Sequence, residues 1–181
     1  MCGRYQFNIS YSDLSKSIQN QVDNLSLDFK QGEIFPGDDV LVIIPKMDKI
    51  SLKVMKWGIK DKNKYLQINA RIETINNNFY YRDIVINHCC VIANGFYEWD
   101  KDKHKYYFRS DDEFIYLAAI YNNKDELLII TKQADECMND IHERMPVILN
   151  KDEMLKYILN DELSTTKKDL IINKQLEKKK I

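Results

Sequence analysis

The chain has 181 residues with Lys+Arg 27 against Asp+Glu 28, a formal net charge of -1, which argues against a large basic face gripping many phosphates. An apolar fraction of 44% and a charged fraction of 30% fit one soluble globular domain long enough to bury a real core. The four cysteines, Cys2, Cys89, Cys90 and Cys137, form no paired C-x-x-C. No metal, no cofactor and no disulfide framework are therefore expected, and a reducing cytoplasm is the default compartment. The N-terminus lacks a basic segment followed by an apolar one, so no signal peptide is expected, and the longest apolar stretch, 114–121, is far too short to span a bilayer.

In chain order, residues 2–7 read as a short strand. Ser12 resembles an N-cap ahead of a helix whose apolar stripe is Leu14, Ile18 and Val22. Residues 24–39 read as loop, broken by Gly32, Pro36 and Gly37. Two strands, 40–45 and 51–57, flank a turn at 46–49, and polar connections follow at 60–64 and 76–78. From residue 89 onward the β signal is strongest, with strands expected at 89–93, 96–99, 105–109, 114–120 and 127–131. Short connections imply antiparallel pairing. Residues 135–141 suggest one or two helical turns, and 151–159 a helix with Met154, Leu155 and Ile158 on one face. The expected class is α+β: one domain over 1–160 with a curled, barrel-like antiparallel sheet flanked by short helices. Residues 161–181 form a polar, Lys-rich tail, read as a last helix that frays.

Cys2 is the most informative residue. A Met1 ahead of a small second residue is the kind that is usually removed, and removal would leave an α-amine and a thiol on neighbouring carbons of Cys2. Unperturbed, these titrate at roughly 8 and roughly 8.5. The amine can condense with an aldehyde to an imine, and the thiol can then close a five-membered thiazolidine. An N-terminal cysteine is thus an aldehyde trap as well as an acyl-transfer nucleophile. The plainer reading is a small apolar residue that packs.

Four polar clusters resist a purely structural explanation: Cys2-Gly3-Arg4, Asn69-Ala70-Arg71-Ile72-Glu73-Thr74, Gly95-Phe96-Tyr97-Glu98-Trp99 and His142-Glu143-Arg144-Met145-Pro146. Each has a bland alternative. Asn69 can cap a turn, Arg71 and Glu73 can pair at the surface, Glu98 can point outward while Trp99 packs inward, and His142 can be a satisfied surface histidine. Their chemistry is nonetheless complementary. A carboxyl between aromatic neighbours is partly desolvated, which raises its pKa toward neutral and suits proton transfer. Histidine titrates in the same range, asparagine can orient an amine, and Arg4 and Arg71 can hold phosphates.

These clusters, together with Trp57-Gly58, occur in an order that resembles the SRAP (SOS response-associated peptidase) family of abasic-site processing proteins. The resemblance runs from residue 1 to about 159. It implies an enzyme of the DNA-damage response that captures abasic sites in single-stranded DNA covalently through Cys2, acting as a cytoplasmic monomer with no membrane partner. By resemblance, Cys2 is the nucleophile, Glu98 opens the sugar and moves protons, His142 is the acid partner at the sugar oxygen, and Asn69 positions the Cys2 amine or nearby backbone. Arg4, Arg71, Trp57, Trp99 and Pro36 would contact the DNA. The chain departs from the family in having His88 before Cys89, Asp135 after Thr131-x-x-Ala, and Lys105-Tyr106 without an intervening proline. The competing expectation is a cysteine peptidase or amidase that uses Cys2 with His142.

Overall fold

A computed structural model describes residues 2–10, 12–75, 87–160 and 177–180. Fifteen strands and two helices lie among them. The centre is a ring of five strands: β3 (Asp39–Lys46), β4 (Lys49–Trp57), β8 (His88–Ala93), β11 (Ile115–Tyr121) and β12 (Glu126–Gln133). β3 pairs with β4 and β8, β8 with β11, β11 with β12, and β12 returns to β4. That last pairing is parallel, a departure from the all-antiparallel expectation. Residues far apart in sequence make it, so loop length carries no trace of it.

Ring strands other than β4 are buried along continuous runs rather than at alternate positions. Val40, Leu41 and Val42, Cys89 to Ala93, and Leu127 to Ile130 are all inaccessible or almost so. Such runs signal strands covered on both faces. α2 (Lys151–Asn160) packs outside the ring against β8 and β11, with Met154, Tyr157 and Ile158 buried. Asn150 and Glu153 exchange hydrogen bonds at its start: Glu153 N–H donates to Asn150 Oδ1 and Asn150 N–H to Glu153 Oε2. This reciprocal cap satisfies two orphan donors. α1 (Asp13–Leu25) starts at Ser12, whose hydroxyl accepts from Ser15 N–H, and it buries Ile18 and Val22. The hydroxyls of Ser10, Ser12 and Ser15 all donate to Glu113, tying the helix start to the loop before β11.

A second sheet has the order β15 (Glu177–Lys180), β10 (Lys105–Arg109), β9 (Gly95–Trp99), β1 (Tyr5–Phe7), β2 (Gly32–Ile34). Only Asn94 separates β8 of the ring from β9. Asn94 N–H donates to Gln6 O, and its Oδ1 accepts from Asn8 N–H, so the chain passes from one sheet to the other at a hydrogen-bonded pivot. A Cβ at the next residue, Gly95, would press on Phe108 O and the Tyr107 ring.

Three expectations change. The segment read as loop at 24–39 contains β2, which pairs with β1. Residues 135–141 keep the expected short turns, closed four residues apart by Asn139 N–H on Asp135 O and His142 N–H on Met138 O, without a continuous helix. The last described residues, read as helical, form β15 against β10, whereas 161–176 lie outside the described residues, as does the connection expected at 76–78. Short strands were also unread: β5 (Ile59–Lys60), β6 (Leu66–Gln67), β7 (Asn69–Arg71), β13 (Arg144–Pro146) and β14 (Ile148–Leu149). Among the described residues no helix is long and apolar enough to cross a membrane.

Candidate active site

The site lies at the seam between the two sheets. Cys2 precedes β1, whose pairing with β9 sets Tyr5 opposite Phe96; Tyr97 N–H then donates to Arg4 O at 2.9 Å. Extending that register brings Gly3 opposite Glu98 and Cys2 beside it. From the ring side, β7 runs parallel to β12, with Asn69 opposite Ile129. Asn69 Nδ2 donates to Cys2 O at 2.9 Å, which locks the N-terminal segment onto β7. The Asn69 Oδ1 atom is buried, with no hydrogen-bond partner among the described residues.

Burial decides the electrostatics. Cys2 is fully buried, which pushes its thiol up to about 12; the Glu98 carboxylate adds to the shift. Glu98 is 4% exposed, and loss of solvent raises its pKa above the ordinary carboxylate range. The outward-facing alternative for Glu98 is therefore reversed: the carboxyl is inside, and Trp99 is the half-buried neighbour. His142 lies just before β13. Its Nδ1 accepts from Arg144 N–H at 3.0 Å, and burial lowers its pKa. A neutral ring with Nδ1 accepting carries its hydrogen on Nε2.

β7 and β13 both pair with the C-terminal end of β12, Arg71 opposite Thr131 and Arg144 opposite Gln133. Arg144 ties this end together. Its guanidinium binds Glu73 through two parallel hydrogen bonds of 2.8 and 3.0 Å, and Nη2 also donates to Thr131 O at 2.8 Å. Those bonds hold the Glu73 carboxyl below its usual range. Glu73 thus pairs with the distant Arg144 and not with Arg71 beside it, while Arg71 is exposed.

The expected DNA contacts divide. Arg4, Pro36 and Trp99 are half-buried and partly accessible, but Trp57 is not. It is fully buried, packs against Tyr5 at 5.4 Å between ring centroids, and donates its indole N–H to Ile68 O at 3.0 Å. Trp57 is a core residue, and it presents no face to a base. Three neighbours of Arg4 carried no sequence signal: Glu33 and Phe35, from the stretch read as loop, and Lys105 on β10. His88 stacks on Tyr157 at 4.6 Å, remote in sequence from every cluster named above. The group Asp100, Asp102 and His104 has ligand atoms within 4.8 Å of one another, and Asp100 closes the β9–β10 turn by accepting from the N–H groups of Asp102 and His104.

The chain is 29% identical over 186 residues to the abasic site processing protein YoaM of Bacillus subtilis, covering 87% of this chain and 79% of that protein. It is 30% identical over 187 residues to YoqW of the same organism, covering 88% and 80%, and 27% identical over 168 residues to YedK of Escherichia coli, covering 83% and 76%. Both of these also carry the name abasic site processing protein. A solved structure from Bacteroides thetaiotaomicron shares the fold at a TM-score of 0.74 and 19% identity, covering 99% of this chain and 92% of that one. The family match takes in residues 1–181 and so extends past the point near 159 where the motifs stop. The chain belongs to the SOS response associated peptidase (SRAP) family.

Proposed function

We propose that the protein captures abasic sites in single-stranded DNA as a covalent thiazolidine on Cys2 once Met1 has been removed. The observation that carries this reading is the contact set around Cys2: Asn69 holds its carbonyl, and a buried, pKa-raised carboxyl, Glu98, stands beside it. An abasic deoxyribose equilibrates with an open-chain aldehyde. The Cys2 amine attacks the aldehyde carbon, forming a C–N bond and, after loss of one water, an imine. The Cys2 sulfur then bonds to the same carbon, and the thiol proton passes to nitrogen, leaving a neutral ring.

Every proton in that sequence has a candidate carrier. Burial raises the Glu98 pKa, which favours its protonated form and suits it to deliver and take back protons in ring opening and imine formation. The neutral His142 ring offers Nε2–H as a donor toward the sugar oxygen. Asn69 Oδ1 provides a buried acceptor for the Cys2 amine. Arg4 and Arg71 supply cations for flanking phosphates, and Trp99 a stacking surface. Stacking at about 1–3 kcal/mol per base gives affinity without a broad basic surface.

With Met1 still attached, the electrostatics do not prepare Cys2 and His142 for peptidase chemistry. A thiolate–imidazolium pair needs a lowered thiol and a raised histidine, whereas Cys2 is pushed up and His142 down. Imine chemistry begins at the amine and has no need of a preformed thiolate.

The test is a denaturing gel with an abasic single-stranded oligonucleotide, supported by intact mass. Wild type is expected to give a heat-stable shifted band, Cys2→Ala none, and protein that retains Met1 none. A Cys2→Ser adduct as stable as wild type would refute closure through sulfur. Undiminished crosslinking by protein carrying Met1 would rule out the amine.

A further inference from the structure

The Arg4 side chain is already engaged. Glu33 lies on β2 opposite Gln6, and its Oε1 atom accepts from two cations, Arg4 Nη1 at 2.8 Å and Lys105 Nζ at 2.6 Å. Both cations lie over aromatic faces. The Arg4 guanidinium is 3.7 Å from the Phe35 ring centroid and 5.4 Å from that of Trp99; Lys105 Nζ is 3.9 Å from Tyr97 and 5.7 Å from Trp99. Phe35 is 43% exposed. One carboxylate oxygen thus sits between two cations beside an aromatic face, which is where a phosphate oxygen of a stacked strand would sit. The hydrogen bonds from Lys105 and Arg4 hold the Glu33 carboxyl below its usual range, so it is ionised wherever DNA is bound near neutral pH.

Taking the proposed capture of abasic DNA as its premise, we propose that Glu33 is a specificity-determining residue: its carboxylate occupies the phosphate position between Arg4 and Lys105 and competes with intact strands for both cations. The Arg4 guanidinium has Phe35 against one face, so Glu33 is not required to orient it. What Glu33 does is lower the local charge from two positive groups to a net of one. An intact strand must displace or share that carboxylate, and it binds weakly as a result. An abasic strand meets the same barrier once, and the covalent bond to Cys2 then holds it. Selectivity for damage over undamaged single strands is the consequence.

The experiment measures binding of an intact, undamaged single-stranded oligonucleotide by fluorescence anisotropy at several salt concentrations, for wild type and Glu33→Gln. The amide keeps shape and removes the charge, and a melting curve for each protein establishes that it is folded. Glu33→Gln is expected to bind about three- to tenfold more tightly at low salt, with a salt slope steeper by about 0.7, the value of one further single-strand phosphate contact. Equal or weaker binding by Glu33→Gln overturns the proposal, because Glu33 would then be neutral or an organiser of the cations. Crosslinking to an abasic oligonucleotide, run beside it, separates the two readings. Normal crosslinking with unchanged intact-strand affinity sinks the role of Glu33 alone, whereas loss of crosslinking and of all single-strand binding by wild type sinks both.

Discussion

The five-stranded ring and the second sheet bury their residues by different rules, and chemistry follows the difference. In the ring, β8, β11 and β12 are apolar on both faces and hold no charged side chain in their buried runs. In the second sheet, β9 buries Glu98 next to Phe96, and β1 begins just after a buried cysteine. Loss of solvent penalises the ionised Glu98 carboxyl even with Trp99 N–H donating to its Oε1 at 3.3 Å, so stability alone would not favour a carboxyl there. The ring is an apolar core in which burial pushes the Cys89 and Cys90 thiols up, and the seam beside it adds a buried carboxyl next to Cys2.

Exchanging one tryptophan from each region would sharpen that contrast. Trp57 belongs to the ring, and Trp57→Ala is expected to cost about 3–5 kcal/mol in denaturant unfolding, the range for large buried aromatics. Trp57→Phe, which retains most of the volume, is expected to crosslink like wild type. A crosslinking defect in folded Trp57→Phe would return Trp57 to the DNA surface.

Glu98→Gln tests the opposite behaviour. The single-turnover crosslinking rate is expected to fall by about 10²–10⁴ with DNA affinity largely kept, since the amide cannot exchange a proton near neutrality. Stability is expected to move the other way. Because the folded pKa of Glu98 is raised, its favourable contribution is complete below the ordinary carboxylate pKa and is lost as pH rises through the folded value. Glu98→Gln should therefore melt higher than wild type, and the gap should widen as pH rises above the ordinary carboxylate pKa. A wild-type crosslinking rate in this variant would make Glu98 a structural residue and break the distinction between the two regions.

Trp99→Ala should weaken single-strand binding by about 1–3 kcal/mol, as expected for loss of one stacked base, while leaving the melting temperature nearly unchanged. Fluorescence anisotropy at fixed salt reads the first effect and a thermal scan the second. A large stability loss would mean that the face of the second sheet is core, as Trp57 is.

The smallest effect is expected at the Arg144–Glu73 pair, which belongs to the ring's end. Glu73→Ala should cost about 1 kcal/mol, discounted because the Glu73 side chain is nearly half exposed. The Glu73 carboxyl is held low by Arg144, so its contribution is present above the ordinary carboxylate pKa and fades as pH falls through the lowered folded value. Denaturant midpoints across acidic pH should show wild type losing this increment while Glu73→Ala does not. An identical pH profile for the two proteins would remove the pair from the account.

Much of the ring was legible because its signals are local. Val40 to Ile44, Cys89 to Ala93 and Leu127 to Ile130 are apolar runs whose length marks strands, and Ser12 with Ile18 and Val22 marks a capped amphipathic helix. β2, β7 and β13 were not legible. Each is three residues long, too short for a period to show, and each exists because a strand from elsewhere offers its edge. Glu73 shows the same limit among side chains: sequence proximity favoured Arg71, whereas the pairing of β7 and β13 with β12 delivered Arg144.

What the sequence determined by itself was the inventory of polar groups and their grouping: a thiol at Cys2 directly after Met1, a carboxyl between aromatics at Glu98, an amide at Asn69 and an imidazole at His142. These are properties of residue type and near neighbours, which a chain carries before it folds. The tertiary structure decided their states. Whether Glu98 faces water or protein, whether the Cys2 thiol is solvated, which histidine nitrogen holds the hydrogen and which tryptophan is fully buried all depend on desolvation and on partners brought from distant strands. Desolvation is a property of the surrounding volume, and that volume exists only once β1, β7 and β9 meet.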